Sequence, residues 1–271
     1  MRRSDRRLSF PLRQHKDGPV FDEELKVAVA AAREAGAEVL RLRNSGLRYG
    51  HKGGWELVSE ADLRAAEMLH HALTRPFPDA GWLSEEHVDT PDRLGKERVW
   101  VVDPIDGTRE YLMGIPEYAI SVGLVVEGAP VLGVVYNPAS DELHAATCDD
   151  AVEAEARDPK PPYDVLVGRN EHGYDDLPPL PAGAVSRGVG SVAYRLALLA
   201  SGTGSAVLTG YGRHEWDVAA GVALCLASGL RVTDALGEPI RFNQPEPFVR
   251  GLLAAEPGLH QHIRGLWERY Q

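Results

Sequence analysis

Cysteine, methionine and phenylalanine are scarce in this chain, whose 271 residues include 2, 3 and 5 of them, respectively. The two cysteines, Cys148 and Cys225, form neither a CxxC pair nor a set with histidines at metal-ligand spacing, which argues against a thiolate zinc site. We interpret both as small buried hydrophobic residues in a reducing compartment, and we therefore expect a cytoplasmic protein.

Long apolar runs are also missing. None approaches the ~18 to 20 residues needed to cross a bilayer, and charge interrupts the longest candidates, near Val27 to Val39 and Val192 to Ala200. We expect a chain that does not span a membrane. With 44% hydrophobic residues, it can still bury a full core.

Positive charge is in the minority, because 29 lysines and arginines face 40 aspartates and glutamates, for a net charge of −11. This balance argues against binding to polymeric nucleic acid but leaves a small anionic molecule open, if charge is neutralised locally. Basic residues concentrate near the start, where no apolar segment or cleavage site follows. We therefore predict a solvated basic arm over residues 1–21 rather than a secretory signal, with contact to an acidic partner as the alternative.

The order of helical and extended patterns predicts an α/β protein. A helix is expected from Asp22 to about Arg43, and a second from Ser59 to Leu73, where the polar opening SEAD can cap the first turn. Five extended segments follow: GWLS, RVWVVD, YAISVGLVV, PVLGVVY and ELHAAT. The third and fourth are joined by a glycine-containing turn, which is typical of an antiparallel hairpin.

A boundary is predicted in the acidic and then proline-rich stretch between Cys148 and Tyr163. It would separate an N-terminal lobe over residues 22–150 from a C-terminal lobe over residues 151–271. The second lobe alternates the short strands DVLVG, SAVLT and LRVTD with apolar helices over Val192–Ser201 and Asp217–Ser228, so we expect helices that cover two sheets.

Two carboxylates follow a buried-looking strand in the segment Trp100–Tyr111, WVVDPIDGTREY. Pro104 fixes one backbone angle and forces a turn, so Asp103 and Asp106 can converge with the Ile105 carbonyl. Such oxygen ligands are what Mg²⁺ prefers. The ordinary alternative is an aspartate-rich turn that caps a helix.

Other residues extend this pattern. Gly107 permits close backbone approach, and a helix beginning near Thr108 would direct its first amides at an anion. Glu85 ends a predicted strand and Asp217 opens an apolar helix. Taken alone, Glu85 is better explained as part of a solvated strand edge, and Asp217 as a helix N-cap.

Taken together, SEE at Ser84–Glu86, DPIDGT at Asp103–Thr108 and WDVAAG at Trp216–Gly221, with SEAD upstream, resemble the inositol monophosphatase superfamily of Mg²⁺-dependent, Li⁺-sensitive phosphatases. The resemblance covers nearly the whole chain from about residue 22. It implies a layered αβαβα sandwich, in which an α+β N-terminal lobe packs against an α/β C-terminal lobe.

The resemblance also implies metal ligands. Glu85, Asp103 and the Ile105 carbonyl would hold one Mg²⁺, and Asp103, Asp106 and Asp217 would hold a second. A third, weaker ion would lie near Glu85.

Further roles follow from the same resemblance. Thr108, hydrogen-bonded to Asp62, would orient the attacking water, and Glu85 would help to accept its proton. The residues implied to contact the substrate are Asp106, Gly107, Thr108, Ser191, Arg195 and Arg213.

Three features bear on the substrate. Arg109 and Glu110, directly after DPIDGT, resemble the CysQ-like branch of 3′(2′),5′-bisphosphate nucleotidases. Arg195 falls near the position where those enzymes carry a lysine. The segment Ser205–His214 lacks the carboxylate with which inositol phosphatases bind sugar hydroxyls, and it offers Arg213, whose forked donors suit phosphate.

The leading hypothesis is therefore hydrolysis of 3′-phosphoadenosine 5′-phosphate to AMP and phosphate. Inositol 1-phosphate, or a sugar phosphate such as fructose 1,6-bisphosphate, is the alternative substrate. A catalytically silent metal- or nucleotide-binding protein is the alternative of another class. The oligomeric state stays open, with a homodimer among the options.

Overall fold

In the computed structural model, the described residues are 21–46, 49–52, 56–148, 160–171 and 179–268. The predicted basic arm lies outside them except for its last residue, and so does most of the predicted boundary between the lobes. Both stay predictions.

The described residues form six α-helices and fourteen strands. The α-helices are α1 (Asp22–Ser45), α2 (Glu60–Thr74), α3 (Thr108–Met113), α4 (Val192–Ala200), α5 (Glu215–Ala227) and α6 (Pro257–Glu268). The strands are β1 (Tyr49–Lys52), β2 (Glu56–Ser59), β3 (Gly81–Ser84), β4 (Arg98–Asp106), β5 (Ala119–Val126), β6 (Ala129–Asn137), β7 (Glu142–Thr147), β8 (Tyr163–Gly168), β9 (Ala184–Val189), β10 (Ala206–Thr209), β11 (Arg213–His214), β12 (Arg231–Thr233), β13 (Phe248–Val249) and β14 (Leu252–Ala255). Among the residues described, no helix has the length and apolar character needed to cross a membrane.

The first large sheet contains β3, β4, β5, β6 and β7 in that order, and only β3 and β4 pair in parallel. Alternation along β4 buries both of its faces. Val99 and Val101 enter one core cluster, whereas Trp100 and Val102 enter another. Buried alanines and leucines of α1 and α2 belong to the cluster on the Trp100 face, so these two helices cover that side.

The middle layer consists of α4 and α5. One core cluster joins Val101 of the first sheet to Leu196 and Val222 of these helices, and then to Val207 of the second sheet. That second sheet has the order β12, β14, β10, β8, β9, with β14 antiparallel to both of its neighbours. The two helices therefore fill the space between two sheets.

The outer face of the second sheet is covered by α6. Its Ile263 and Trp267 pack with Leu208 and Leu253 in a separate buried cluster. The layers are thus helices, sheet, helices, sheet and helix, which confirms the predicted αβαβα sandwich.

Small residues bring α5 unusually close to the first sheet. A methyl group at Gly133 of β6 would lie 2.2 Å from the Ala220 carbonyl oxygen, and one at Gly123 of β5 would lie 3.1 Å from the Ala219 methyl. The backbone of α5 therefore rests on two glycines of the sheet. This contact fixes the start of the helix, which carries Asp217.

Candidate active site

The segment Asp103–Asp106 ends β4 with a bulge. Asp103 pairs with Ser121 of β5 but Asp106 pairs with Ala119, so β4 contains one extra residue between them. Bulges of this kind re-aim side chains and occur next to active sites. Pro104, which cannot donate to the ladder, lies within the bulge, as its sequence position predicts.

Local hydrogen bonds hold the bulge. The Ile105 amide donates to Asp103 Oδ1 at 3.0 Å, and Thr108 Oγ1 lies 3.1 Å from the Ile105 carbonyl oxygen. Gly107 then turns the chain into α3 with φ of 95°, and a methyl group there would lie 3.1 Å from the Glu117 carbonyl oxygen. Glycine is required at this turn because an L side chain rarely adopts that angle.

Four carboxylates surround Asp103, which is 2% exposed. Burial raises its pKa well above the ordinary value, and the negative charges of Glu85, Asp106, Asp217 and Asp62 raise it further. The parallel register of β3 and β4 places Glu85 next to Asp103, because Ser84 of β3 lies opposite Val102 of β4 and the next residues are Glu85 and Asp103. The predicted ligands thus come from separate parts of the chain to one place.

Asp106 is anchored by the start of α4. Ser191 Oγ donates to Asp106 Oδ2, and the Ala193 amide donates to the same oxygen at 2.6 Å. Burial raises the pKa of Asp106, whereas these hydrogen bonds and the nearby Arg195 lower it in part.

Asp217 is likewise held by backbone, since the His214 amide donates to its Oδ2 at 3.0 Å. The sequence predicted that Asp217 would begin its helix, and this is wrong: α5 begins at Glu215, after His214 as N-cap. Asp217 is the third helical residue, where a carboxylate can reach back to the N-cap amide. The carboxylate still lies in the first turn, near Asp103.

The donor set fits a hard divalent cation. Within the described part of the chain, no three His, Cys, Asp or Glu side chains form a compact metal-binding group. The acids nevertheless converge on Asp103, and a cation bound among them would remove the repulsion that raises the pKa of this residue. Carboxylates and a backbone carbonyl are the ligands that Mg²⁺ prefers.

Asp62 links the start of α2 to this cluster. Its Oδ2 accepts from the Ser59 amide at 2.7 Å and from Ser59 Oγ at 2.5 Å, while its Oδ1 accepts from Thr108 Oγ1 at 2.9 Å. Burial raises the pKa of Asp62, and the hydrogen bonds from Ser59 and Thr108 oppose that rise. The expected Thr108–Asp62 hydrogen bond is therefore present.

A second charged cluster lies beside Asp106. Arg195 is 1% exposed, and its Nη1 lies 3.4 Å from Glu171 Oε2, while Arg213 Nη2 lies 3.3 Å from Glu171 Oε1. Thr209 Oγ1 adds a hydrogen bond to Glu171 at 2.9 Å. Burial lowers the pKa of Arg195 to about 10, against the pull of Glu171. Burial also acts to raise the pKa of Glu171, but the two guanidiniums hold it below its ordinary value.

Sequence reasoning missed Glu171. It directly follows the RN dipeptide after the correctly predicted strand DVLVG, so the strand-end signal that singled out Glu85 was available here as well. Ser191 and Arg195 are both 1% exposed and contact Asp106 and Glu171, respectively. Their proposed direct contact with substrate stays a prediction, as does that of the partly exposed Arg213.

The sequence model of the inositol monophosphatase family matches residues 21–270. The chain belongs to the inositol monophosphatase family. The resemblance stated from the acidic motifs is therefore confirmed over nearly the whole chain.

Relatives in this family carry two different activities in their names. An inositol-1-monophosphatase of Mesorhizobium japonicum is 34% identical over 235 residues, which cover 79% of this chain and 86% of the relative. The 3′(2′),5′-bisphosphate nucleotidase CysQ of Salmonella typhimurium is 30% identical over 235 residues, which cover 80% of this chain and 93% of the relative. The family identifies a phosphatase of small phosphate esters, and both substrate types occur at similar identity.

A solved structure supports the fold. The extragenic suppressor protein suhB of Bartonella henselae superposes with a TM-score of 0.74 at 26% identity, covering 92% of this chain and 99% of that chain. The αβαβα layering described above therefore has a counterpart among solved structures over nearly the whole chain.

Proposed function

We propose that this protein is a Mg²⁺-dependent, Li⁺-sensitive phosphomonoesterase that converts 3′-phosphoadenosine 5′-phosphate to AMP and phosphate. The observation that carries the proposal is the buried Asp103 with four carboxylates around it, at a strand bulge. A buried group of like charges is costly without a cation, so the cluster is better suited to holding metal than to stabilising the fold alone.

The proposed ligands follow the family pattern. Glu85, Asp103 and the Ile105 carbonyl would hold one Mg²⁺, and Asp103 would share a second with Asp106 and Asp217. Mg²⁺ at these positions would supply a lowered pKa for the attacking water and stabilisation of charge on the phosphoryl oxygens. The chain itself must then position that water and the ester.

Thr108 is the residue placed to orient the water. Its single hydroxyl proton has Asp62 Oδ1 at 2.9 Å as an acceptor, which leaves oxygen lone pairs of Thr108 to accept a hydrogen bond from water. Asp62 also accepts two hydrogen bonds from Ser59, so it is held in one orientation. Asp62 thus fixes the direction of the Thr108 hydroxyl, with Glu85 proposed to receive the proton of the water.

The charge around Asp106 supports a substrate with more than one phosphate. Arg195 and Arg213 together carry one more positive charge than Glu171 neutralises, and Arg213 is 21% exposed at its side chain. Arginine suits phosphate because its donors form a planar fork. Arg109, the second residue of α3, is a further exposed arginine directly after Thr108.

Inositol 1-phosphate is the second candidate, because the relative of 34% identity is an inositol-1-monophosphatase. Glu171 is a carboxylate beside the arginines that could bind sugar hydroxyls. Its oxygens already accept from Gly168, Thr209 and both guanidiniums, so we favour the nucleotide.

The test is phosphate release with Mg²⁺ from three esters at equal concentration: the bisphosphonucleotide, inositol 1-phosphate and fructose 1,6-bisphosphate. We expect the highest kcat/KM with the nucleotide, and inhibition of its hydrolysis by Li⁺. A tenfold preference for inositol 1-phosphate would reject the nucleotide assignment. No release from any ester would favour a catalytically silent binding protein.

A further inference from the structure

We propose that three aromatic side chains next to Asp217 form a shelf that binds the base of a nucleotide. The aromatic shelf consists of His214, Trp216 and Phe248. This inference rests on the proposed function, because it names how the same site would recognise the part of a nucleotide that carries no phosphate.

The rings of the aromatic shelf are contiguous. His214 and Trp216 stack with their centroids 4.4 Å apart and their planes at 8°, and Phe248 meets His214 edge-on at 5.7 Å and 79°. His214 and Phe248 are directly paired residues of the two-stranded sheet β11–β13. Aromatic rings held in this way lose little further freedom when a ligand stacks on them.

The aromatic shelf is more exposed than core packing requires. Phe248 is 51% exposed, His214 is exposed and Trp216 is partly exposed. Phe248 is nevertheless in a defined position, since a methyl group at Gly212 would lie 1.9 Å from its ring. The ring therefore lies close over the backbone of Gly212, and a large apolar surface stays open to solvent.

The position of the aromatic shelf selects its ligand. The His214 amide donates to Asp217 Oδ2, so the shelf begins at a proposed metal ligand. An ester whose phosphate is bound at the proposed metal site would therefore have these rings beside it. Stacking on aromatic rings is favourable for a planar base, and any base can stack in this way because every base has a π-face. An inositol ring is neither planar nor aromatic and gains no such stacking.

AMP and ribose 5-phosphate test the inference, because they share the sugar phosphate and differ in having adenine or a hydroxyl at C1 of the ribose. Each is measured as an inhibitor of Mg²⁺-dependent hydrolysis of β-glycerophosphate, a substrate without a base. We expect wild-type protein to bind AMP roughly tenfold or more tightly than ribose 5-phosphate. Phe248→Ala should remove most of this advantage, whereas Phe248→Tyr should retain it.

Val185→Ala is the matched control, since Val185 is 66% exposed on β9 and lies outside the shelf. It should leave the AMP advantage intact. If Phe248→Ala weakens both inhibitors equally, or if neither inhibitor is preferred by wild-type protein, the aromatic shelf does not bind a base.

Failure of the aromatic shelf and failure of the proposed function give different results. An unchanged AMP advantage in Phe248→Ala, with the bisphosphonucleotide still the best substrate, overturns the shelf alone. A Phe248-dependent AMP advantage, with inositol 1-phosphate the best substrate, overturns the proposed substrate and leaves the shelf in place.

Discussion

Gly133→Ala tests whether the close contact between α5 and the first sheet positions the active site. The new methyl group would lie 2.2 Å from the Ala220 carbonyl oxygen, whereas real Cβ atoms essentially never come closer than 3.0 Å. The backbones of α5 and β6 must therefore separate by at least about 0.8 Å. Ala220 lies one turn after Asp217, so the shift would reach a proposed metal ligand.

The expected magnitude follows from the cost of overpacking, which is typically about 1 to 3 kcal/mol. For a chain of this size, that cost corresponds to a decrease in Tm of roughly 2 to 5 °C. A misplacement of about 1 Å can lower catalysis by about 10²-fold. Thermal unfolding and kcat/KM with Mg²⁺ measure the two effects on the same preparation.

Gly95→Ala is the control, because a methyl group at Gly95 meets nothing within 4 Å and its φ is not positive. It should change the free energy of unfolding by no more than about 0.5 kcal/mol and leave kcat/KM unchanged. Wild-type Tm and wild-type activity in Gly133→Ala would refute the argument, and so would an equal loss in Gly95→Ala.

Two further predictions concern a hydroxyl and a buried histidine. Thr108→Val removes the hydroxyl that we propose orients water, and it should lower kcat by about 10² to 10⁴-fold, whereas Thr108→Ser should keep most of the activity. Equal activity of the two variants would contradict the proposed role. His260 is 1% exposed and hydrogen-bonded to Thr233, and burial, with Arg231 and Arg264 nearby, lowers its pKa from 6.5 to about 4. As the pH falls, the unfolded chain binds the proton before the folded protein does. The free energy of unfolding should therefore decrease by about 3 kcal/mol between pH 6.5 and 4, and urea unfolding of His260→Gln should lack this part of the pH dependence. An identical pH dependence in wild-type protein and His260→Gln would show that His260 is not buried in its neutral form.

The N-terminal half was well predicted because its periodicity is strong. The helix expected from Asp22 extends to Ser45, and the helix after Ser59 has the expected serine cap and capping box. The five extended segments after it form one sheet in the order of the sequence, with β3 and β4 parallel and the later neighbours antiparallel. Short antiparallel connections leave few alternatives for such a run of strands.

The C-terminal half was predicted less completely. Strand β14, Leu252–Ala255, lies between β10 and β12, although both of these strands come before it in the sequence. No local sequence pattern predicts that a later strand inserts between two earlier ones. The helix Pro257–Glu268 was missed although Leu259, Ile263 and Trp267 recur every four residues on its buried face. Pro257 in its first turn was a further available signal.

The candidate site was predictable where spacing carries chemistry. Asp103, Pro104 and Asp106 predict a bend with converging carboxylates, and the structure shows the bulge. The cluster of Glu171 with Arg195 and Arg213 was not predicted as a unit. Its members come from three distant segments, and only tertiary packing brings their charges together.

The central claim is that the carboxylates around Asp103 form a Mg²⁺-dependent phosphatase site. Asp103→Asn tests it most directly, by phosphate release from the bisphosphonucleotide together with thermal unfolding in the absence and presence of Mg²⁺. We predict that turnover falls by orders of magnitude while Tm without metal is unchanged or higher, because the variant removes a buried charge that repels four others. Near wild-type turnover in Asp103→Asn would contradict the account.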